Sequence, residues 1–578
     1  MGLFNKKQSQ VKEEVHELSS TEKSQDLKTN FQSTNDLVSS NEEIIDLDQS
    51  SYVNSENYSH DVQYPLESYL YYAILERRKE FQERKSSTVD RLLAKIDVDD
   101  SAHEERIPLD AAPPKNNAER VAKMASWWSV FYLITSDILG PSSSPYAFST
   151  LGYGKGTIIF LVFYGAAVYC GMLIWRQFMD LNSEVHPVRT FADLAFRIWG
   201  RAGKILVMLM HAIYLILAVS LLILGSAQGL SQIIKDKFCF IALAVFFMLA
   251  GILLGQIRTL KLYSILSSGS VYATITLCIL TMGGAAHSAP NFSAAFKTND
   301  VVKGPVETKA FIGGGTMEHQ LVGVMNIIYA YAGSIMFPEI LAEMQRPWDF
   351  WKGAFLAQTL IFIAYLFFGV FVYCFQGQFT INPAHQGITI YGLQTACNII
   401  SIITGMIAAG LYMHVGLKSM YKNIVVDIFK GPNIDVRNGK YMWAIFAIGY
   451  WIVSFIISAA VPQLSNIAAI SAAACALQFT YSFPALMTAT LQIRKDSLLG
   501  DGLFDPKTDR CERSDSWKDF SRWKRGFFKQ WHWNTFNIIL GLASLSLAGL
   551  GLWSSIESII STFKSAGAPS SFSCSAPV

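Results

Sequence analysis

The sequence predicts an all-α polytopic membrane protein with eleven transmembrane helices. Of its 578 residues, 51% are hydrophobic and only 16% are charged. The apolar residues form runs of about twenty, the length that crosses a bilayer as a helix. Charge is uneven, since residues 1–124 carry a net charge of −8 and the other 454 residues carry +10. These features exclude a soluble enzyme, and no basic stripe with interleaved aromatic residues indicates nucleic-acid binding.

The chain divides into three regions. Residues 1–124 form an acidic leader rich in Ser, Asn and Glu, which we expect to be cytoplasmic and mostly disordered. Residues 125–561 form the transmembrane domain, and residues 562–578 form a short tail that we expect to be extracellular. Within the leader, the segment from Pro65 to Ile96 alternates apolar and charged residues at helical spacing. It predicts an amphipathic helix that rests on the membrane or on the transmembrane domain, in preference to a dedicated partner site.

Each predicted span is an apolar segment whose ends are set to within a few residues. The segments cover residues 125–151, 155–175, 204–230, 238–255, 263–284, 321–344, 353–376, 393–416, 441–461, 466–491 and 534–560.

Basic residues in the loops predict the orientation. With a cytoplasmic amino terminus, the inner loops hold 24 Lys and Arg residues and the outer segments hold seven. Cytoplasmic loops of membrane proteins are enriched in these residues, so the amino terminus is predicted inside and the tail outside. The large outer loop, Ala285–Gln320, contains the N-glycosylation acceptor Asn291-Phe292-Ser293. The sequence therefore predicts a glycoprotein.

The eight cysteines are scattered, and most lie inside apolar segments. No CxxC motif and no Cys/His spacing occurs among them. We therefore expect neither a disulfide framework nor a metal site, and we expect no cofactor.

Two spans are interrupted in the same way. Gly140 and Pro145 lie five apart in the first span, and Gly333 and Pro338 lie five apart in the sixth. Proline removes a backbone donor and glycine tolerates non-helical angles, so both spans should unwind near mid-membrane. Either break alone is consistent with a packing kink. Two equal breaks five spans apart instead indicate corresponding positions of inverted repeats, which is the pattern of a transporter site.

The polarity of the broken helices predicts the ligand. Ser144-Pro145 favours a helix start, with Ser144 as the N-cap, and backbone amides at such a start can bind a carboxylate. Carbonyl groups exposed at the second break can bind an ammonium group. Opposite partial charges close together suit a zwitterion, so an amino acid is the predicted substrate. The predicted substrate-binding residues are Gly140, Ser142, Ser143, Ser144, Tyr331, Gly333 and Ser334.

Few ionisable residues lie inside the spans. Asp137 precedes the first break by one turn, and we hypothesise that it binds and releases a coupling proton, because a carboxylate is costly in a bilayer and usually functional. A structural hydrogen bond to a freed amide is an equally good interpretation. Glu339, next to Pro338, is a second candidate for proton coupling, with a gate or helix-cap role as its alternative. His211 is interpreted as a buried core histidine.

Three motifs resemble the amino acid/auxin permease family, and within it the fungal neutral amino acid permeases of the methyltryptophan-resistance type. They are DILGPSSSPYAFSTLGYGKG, TFADLAFRIWGRAGK and NIIYAYAGSIMFPEILAEMQRPWDFWKG. The resemblance covers roughly Lys123–Ser561. It implies a LeuT-like fold of two inverted five-helix repeats plus one extra helix. It also implies proton-driven amino acid uptake, with the two interrupted segments at the substrate.

The sequence therefore predicts a multi-pass plasma-membrane transporter that imports neutral amino acids with protons by alternating access. Its partners would be the substrate, the proton and the lipid bilayer. Two alternatives keep the fold. One is an amino acid sensor that signals through its cytoplasmic leader, and the other is a vacuolar amino acid exporter.

Overall fold

We analysed a computed structural model of the chain. It describes residues 63–83, 126–256, 260–299, 301–311, 316–421, 436–461, 463–499, 510–564 and 571–577, and also 425, 431–432, 501–502, 504–506 and 508. Side chains are not described at 79–83, 137, 260–268 and 510. The described residues within 63–504 and 510–578 belong to one compact unit. The predicted disorder of residues 1–62 and 84–124 lies outside the described residues.

The fold is helical. In chain order the helices are α1 (Leu66–Glu83), α2 (Trp127–Ile138), α3 (Ser144–Leu151), α4 (Tyr153–Leu181), α5 (Phe191–Ile233), α6 (Phe240–Leu254), α7 (Leu260–His287), α8 (Phe292–Asn299), α9 (Met317–Ala330), α10 (Phe337–Glu343), α11 (Phe350–Gln376), α12 (Tyr391–Met420), α13 (Arg437–Ala460), α14 (Leu464–Ser471), α15 (Phe483–Ser497), α16 (Phe520–Lys529) and α17 (Trp531–Lys564). Two short strands, β1 (Phe504–Asp505) and β2 (Arg510–Cys511), lie between α15 and α16.

Helices occupy all eleven intervals in which spans were predicted. Among the described residues, nine helical stretches are long and apolar enough to cross a membrane. This confirms the polytopic membrane class. The first interval is split into α2 and α3, and α6 has only 15 residues, so the count of eleven spans stays a prediction.

Buried apolar side chains form two large cores. The first joins α1–α4 with α9–α11 and the α14–α15 region, and Val130, Phe160 and Ile328 are among its fully buried members. The second joins the carboxyl-terminal half of α5 with α6, α12 and α13, around Trp443 and Trp451. Helix α5 contributes to both cores, and both broken spans belong to the first.

The predicted amphipathic helix of the leader is present as α1, with Tyr69 and Leu70 buried in the first core. It rests on the transmembrane domain. Glu67 pairs with Arg513 at 3.0 Å, and Arg77 pairs with Asp180 at the end of α4 at 3.2 Å. The rest of the predicted segment, residues 84–96, lies outside the described residues.

The expectation of no disulfide is wrong at one position. Cys239, just before α6, is bonded to Cys574 in the tail, across 335 residues of sequence. The backbone amide of Phe240 also donates to the carbonyl of Cys574 at 3.0 Å, and that of Phe572 donates to Ala459. The bond therefore fastens the tail to the ends of α6 and α13. Sequence spacing could not reveal it, because only the folded chain brings the two cysteines together.

Candidate functional site

Both interrupted spans are broken helices, as the sequence predicts. The first span stops at Ile138, continues as a 3-10 turn over Pro141–Ser143, and resumes as α3. One detail differs from the prediction, because Ser143 and not Ser144 is the residue before α3, and its side chain makes no capping bond. The Ser144 hydroxyl instead donates to the carbonyl of Pro141 at 2.8 Å, because the 3-10 turn Pro141–Ser143 directly precedes α3.

The sixth span breaks in a matching way. Helix α9 ends at Ala330, a turn and a 3-10 segment (Ser334–Met336) follow, and α10 starts at Phe337 with Pro338 in its first turn. Inside the break, the amide of Gly333 donates to Tyr331 at 3.0 Å, and the carbonyl of Gly333 accepts from Met336 at 3.1 Å. Each of these carbonyl oxygens has a second lone pair that a ligand can use.

The two broken spans are in direct contact. A Cβ atom added to Gly323 of α9 would lie 1.9 Å from the hydroxyl oxygen of Thr150 in α3, so glycine is required for the two helices to approach. The 3-10 turn of the first break also packs against α9. The second half of the first span thus lies beside the first half of the sixth, and their breaks are neighbours.

Tyrosines from two other helices bind the freed backbone groups. The Tyr365 hydroxyl in α11 donates to the carbonyl of Ile138 at 2.8 Å and accepts from the amide of Gly140 at 2.9 Å. In α5, the Tyr214 hydroxyl donates to the carbonyl of Ala332 at 3.0 Å. Sequence reasoning missed both tyrosines, because each is an ordinary aromatic residue in an apolar helix and only tertiary contact brings it to a break.

Tyr331 connects the second break to the first. Its ring is fully buried, with its centroid 6.4 Å from that of Tyr365, and its hydroxyl donates to the carbonyl of Phe160 in α4 at 3.2 Å. A buried aromatic contact therefore joins the break in the sixth span to Tyr365, the tyrosine that is hydrogen-bonded to the break in the first span.

The predicted substrate-binding residues differ in exposure. Gly140 is exposed and Ser142 and Ser143 are partly exposed, whereas the other four are buried. The Ser334 side chain has no accessible surface, and its hydroxyl has no hydrogen-bond partner. A buried hydroxyl without a partner is costly unless a ligand or water satisfies it.

Of the two predicted proton-coupling residues, one precedes the first break in the sequence and the other follows the second break. Asp137 is the penultimate residue of α2, and its side chain lies outside the described residues. Glu339 is a partly exposed residue in the first turn of α10, where a negative charge is favoured by the helix dipole. Its position is compatible with both the proton-coupling and the helix-cap interpretation.

A further group of polar residues surrounds the second break. Between α14 and α15 the chain is π-helical over Ala472–Ala476 and Gln478–Ser482, and the second of these segments packs against Ser334–Met336. The hydroxyls of Thr480 and Ser482 are buried without a hydrogen-bond partner. π-Helical segments often occur at functional sites. Their altered backbone hydrogen-bond pattern cannot be recognised from an apolar sequence.

His211 lies near this group, with its ring centroid 6.1 Å from that of Phe479. It is buried, as expected for a core histidine, but its Nε2 atom has no hydrogen-bond partner. Within the described part of the chain, no group of three His, Cys, Asp or Glu residues is placed to hold a metal ion.

This geometry defines a class of membrane protein, namely a polytopic helical bundle with two adjacent broken helices. Residues 123–500 match the family described as "Transmembrane amino acid transporter protein". This is more than half of the chain, so the protein belongs to that family, which confirms the amino acid permease family inferred from the three motifs.

Fungal relatives agree with this assignment. The chain is similar to a "Transmembrane transporter" of Gibberella moniliformis, with 26% identity over 372 residues that cover 63% of this chain and 75% of the relative. A "Transmembrane transporter" of Fusarium pseudograminearum is 25% identical over 377 residues, covering 63% and 75%. The "N amino acid transport system protein" of Neurospora crassa is 22% identical over 370 residues, covering 62% and 74%.

Proposed function

We propose that the protein is a secondary transporter that imports neutral amino acids together with protons by alternating access. The proposal rests on two helix breaks that lie next to each other, one of which presents backbone amides and the other backbone carbonyls. The amides of Ser142 and Ser143 lie in the first turn of a new helical segment, where backbone donors have no acceptor within the helix. They would bind the substrate carboxylate.

The second break supplies the complementary charge. The carbonyls of Tyr331 and Gly333 stand at the end of α9, where the helix dipole is negative, and the buried Ser334 hydroxyl lies beside them. They would bind the substrate ammonium group. Because these backbone groups would bind both charged groups of an amino acid, a substrate with a neutral side chain would need no additional charged residue in the site.

The position of both breaks in one of the two cores supports alternating access. We propose a LeuT-like arrangement of eleven spans in which spans one to five (α2–α7) and spans six to ten (α9–α15) form two inverted repeats, with α17 as the extra helix. In this arrangement the first core would move against the second, and the two breaks would remain together because both belong to the first core. Access would then alternate between the two sides of the membrane.

We propose that the amino terminus is cytoplasmic and that the protein acts in the plasma membrane. The Cys239–Cys574 disulfide supports an outward-facing tail, because disulfides persist in oxidising compartments. Asn291 would lie on the same side and would be glycosylated. Sensitivity of intact cells to an endoglycosidase, lost in Asn291→Gln, tests this orientation and location.

Uptake of a panel of labelled amino acids into transport-deficient cells, with and without a protonophore, tests the function. We expect saturable uptake of neutral amino acids that the protonophore abolishes. Proton coupling through Asp137 predicts that Asp137→Asn loses its dependence on the pH gradient, and Glu339→Gln is the parallel variant. Uptake that ignores the protonophore would refute proton coupling, and ligand binding without uptake would favour a sensor.

A further inference from the structure

The connection between α11 and α12 is buried, which is unusual for a loop. It runs over residues 377–390 and contains two 3-10 turns, Gly377–Phe379 and Ala384–Gly387. The eight consecutive residues Ile381–Ile388 are all buried. We call residues 377–390 the lid. The turn Ala384–Gly387 packs near Pro141–Ser143, so the lid lies against the first break.

Hydrogen bonds hold the lid between helices of both cores. The carbonyl of Gln386 accepts from Gln232 in α5 at 3.1 Å and from Gln394 in α12 at 2.9 Å. The amide of Asn382 donates to the side-chain oxygen of Asn326 in α9 at 3.2 Å. Since the lid is tied to α9 in the first core and to α5 and α12 near the second, relative movement of the cores must disturb these bonds.

The lid also carries an unsatisfied polar group. His385 is only 2% exposed, and neither ring nitrogen has a hydrogen-bond partner among the described residues. The side-chain oxygens of Asn382 and Gln386 are likewise buried without partners. Residues 377–390 contain no Asp, Glu, Lys or Arg, so the lid itself has no counter-charge for a protonated imidazole.

The elements packed around the lid carry charged and titratable groups. In the described part of the chain, none of their titratable groups makes a hydrogen bond or an ion pair with the His385 ring. On this side of the bundle these groups are Tyr146 of α3, Cys278 and His287 of α7, Lys297 of α8, Glu318 and His319 of α9, Tyr373 and Cys374 of α11, Tyr391 and Cys397 of α12, Lys235 and Asp236 after α5, and Lys303, Glu307 and Lys309 of the loop before α9. The turn at the first break contains no titratable side chain.

We propose that His385 is a proton-binding site of the lid: it binds a proton from the outer solution while the lid is open, and that proton keeps the lid open. Closing the lid returns the proton to the solution, because a charged imidazole in the closed position would be buried without a partner. External acidity would thus control access to the first break. This inference rests on the proposed function for its transport role, but the opening of the lid can be measured without a substrate.

The size of the effect follows from linkage. Burial lowers the pKa of His385 to about 4. An exposed imidazole has a pKa of about 6.5, so the open lid binds a proton as pH falls through that value while the closed lid does not. The ratio of closed to open lids should therefore fall about tenfold between pH 7.5 and pH 5.5. Above pH 7.5 the ratio should be constant.

Hydrogen exchange of the purified full chain in detergent micelles tests the proposal. The measured quantity is the protection of backbone amides in peptides that cover the lid, compared at pH 7.5 and pH 5.5. Dividing each rate by that of the same peptide in His385→Gln removes the intrinsic pH dependence of exchange. We expect the relative protection of the native lid to fall about tenfold at the lower pH.

Two further variants complete the test. His287→Gln removes an exposed histidine at the end of α7 and should behave as the native chain does. His385→Arg carries a permanent charge and should give a weakly protected lid at both pH values. Equal protection of the native lid at the two pH values would overturn the proposal, and so would loss of the effect in His287→Gln. Absence of amino acid uptake together with a pH-dependent lid would instead refute only the proposed function.

Discussion

The hydroxyl of Tyr365 lies 2.8 Å from the carbonyl oxygen of Ile138, the last residue of the first half of the first span. The same hydroxyl accepts a hydrogen bond from Gly140 across the break. One side chain therefore satisfies both a donor and an acceptor that the interruption frees. These two hydrogen bonds therefore fix the backbone conformation of the first break.

Tyr365→Phe removes both hydrogen bonds and leaves the buried carbonyl of Ile138 and the amide of Gly140 without this partner. An unsatisfied buried group costs about 1–3 kcal/mol, so we expect uptake to fall about tenfold or more because the first break loses its shape. The measurement is initial uptake rate normalised to surface expression. Tyr164→Phe is the matched control, because its hydroxyl pairs with the side chain of Thr359 in α11 and with no backbone group of a break. Equal losses in the two variants would contradict a specific role for Tyr365.

Ser334→Ala distinguishes a ligand-binding hydroxyl from a structural one. The Ser334 hydroxyl has no hydrogen-bond partner in the part of the chain that the structure describes, so its removal should leave thermal stability unchanged or slightly higher. If it binds the substrate, KM should rise about tenfold. Ser220→Ala is the control, since that hydroxyl donates to Ile216 at 2.7 Å within α5. An unchanged KM for Ser334→Ala would remove Ser334 from the site.

Loss of the Cys239–Cys574 bond should destabilise the protein. Closing a loop of 335 residues restricts the unfolded chain, and such bonds stabilise by about 2–4 kcal/mol. Cys239→Ser, Cys574→Ser and the double variant should therefore show the same lowered Tm in detergent. Cys374→Ser changes a free, exposed cysteine and should leave the Tm as it is. A double variant that loses twice as much as either single one would argue against the bond.

Arg522 should confer stability that depends on pH. Its side chain is fully buried and pairs with Asp501 and Asp515 on the segment between α15 and α16. Burial raises the pKa of Asp501, but the hydrogen bonds from Arg522 and Ser514 and the Arg522 charge outweigh it, so the pKa is lowered. The stabilisation is therefore present at neutral pH and is lost as pH falls below the carboxyl's ordinary value of about 4.

Arg522→Met leaves the carboxylate of Asp501 without its ion-pair partner and should cost about 3–5 kcal/mol at pH 7. The difference in Tm between this variant and the native chain should shrink between pH 6 and pH 3. Arg525→Met is the control, since Arg525 is more exposed and reaches only Asp515 by an ion pair. A difference that does not change with pH would contradict the electrostatic explanation.

Release of the leader helix α1 should separate the transporter from the sensor hypothesis. Tyr69 is 3% exposed and lies under the Arg197 guanidinium, 4.7 Å from the ring centroid. Tyr69→Ala should weaken docking by about 3 kcal/mol and increase tryptic cleavage at Arg77 and Arg78. Tyr72→Ala, at a partly exposed position of the same helix, should have a smaller effect.

A transporter should keep its uptake when α1 is released, apart from a change in rate. A sensor should lose its signal and still bind the amino acid. Intact proteolytic protection in Tyr69→Ala would mean that α1 is held by its ion pairs with Asp180 and Arg513, and not by its apolar face.

The sequence by itself determined the helical membrane class, the intervals of the helices and the two breaks. These follow from local properties, because apolar runs of sufficient length must be helical in a bilayer and Gly–Pro spacing interrupts the backbone ladder at defined positions. The tertiary structure decided which groups meet at the breaks. Tyr365 and Tyr214, the Cys239–Cys574 bond and the buried His385 all depend on contacts between residues far apart in the chain. Such contacts leave no local pattern, since each residue type is equally compatible with many positions in an apolar helix or loop.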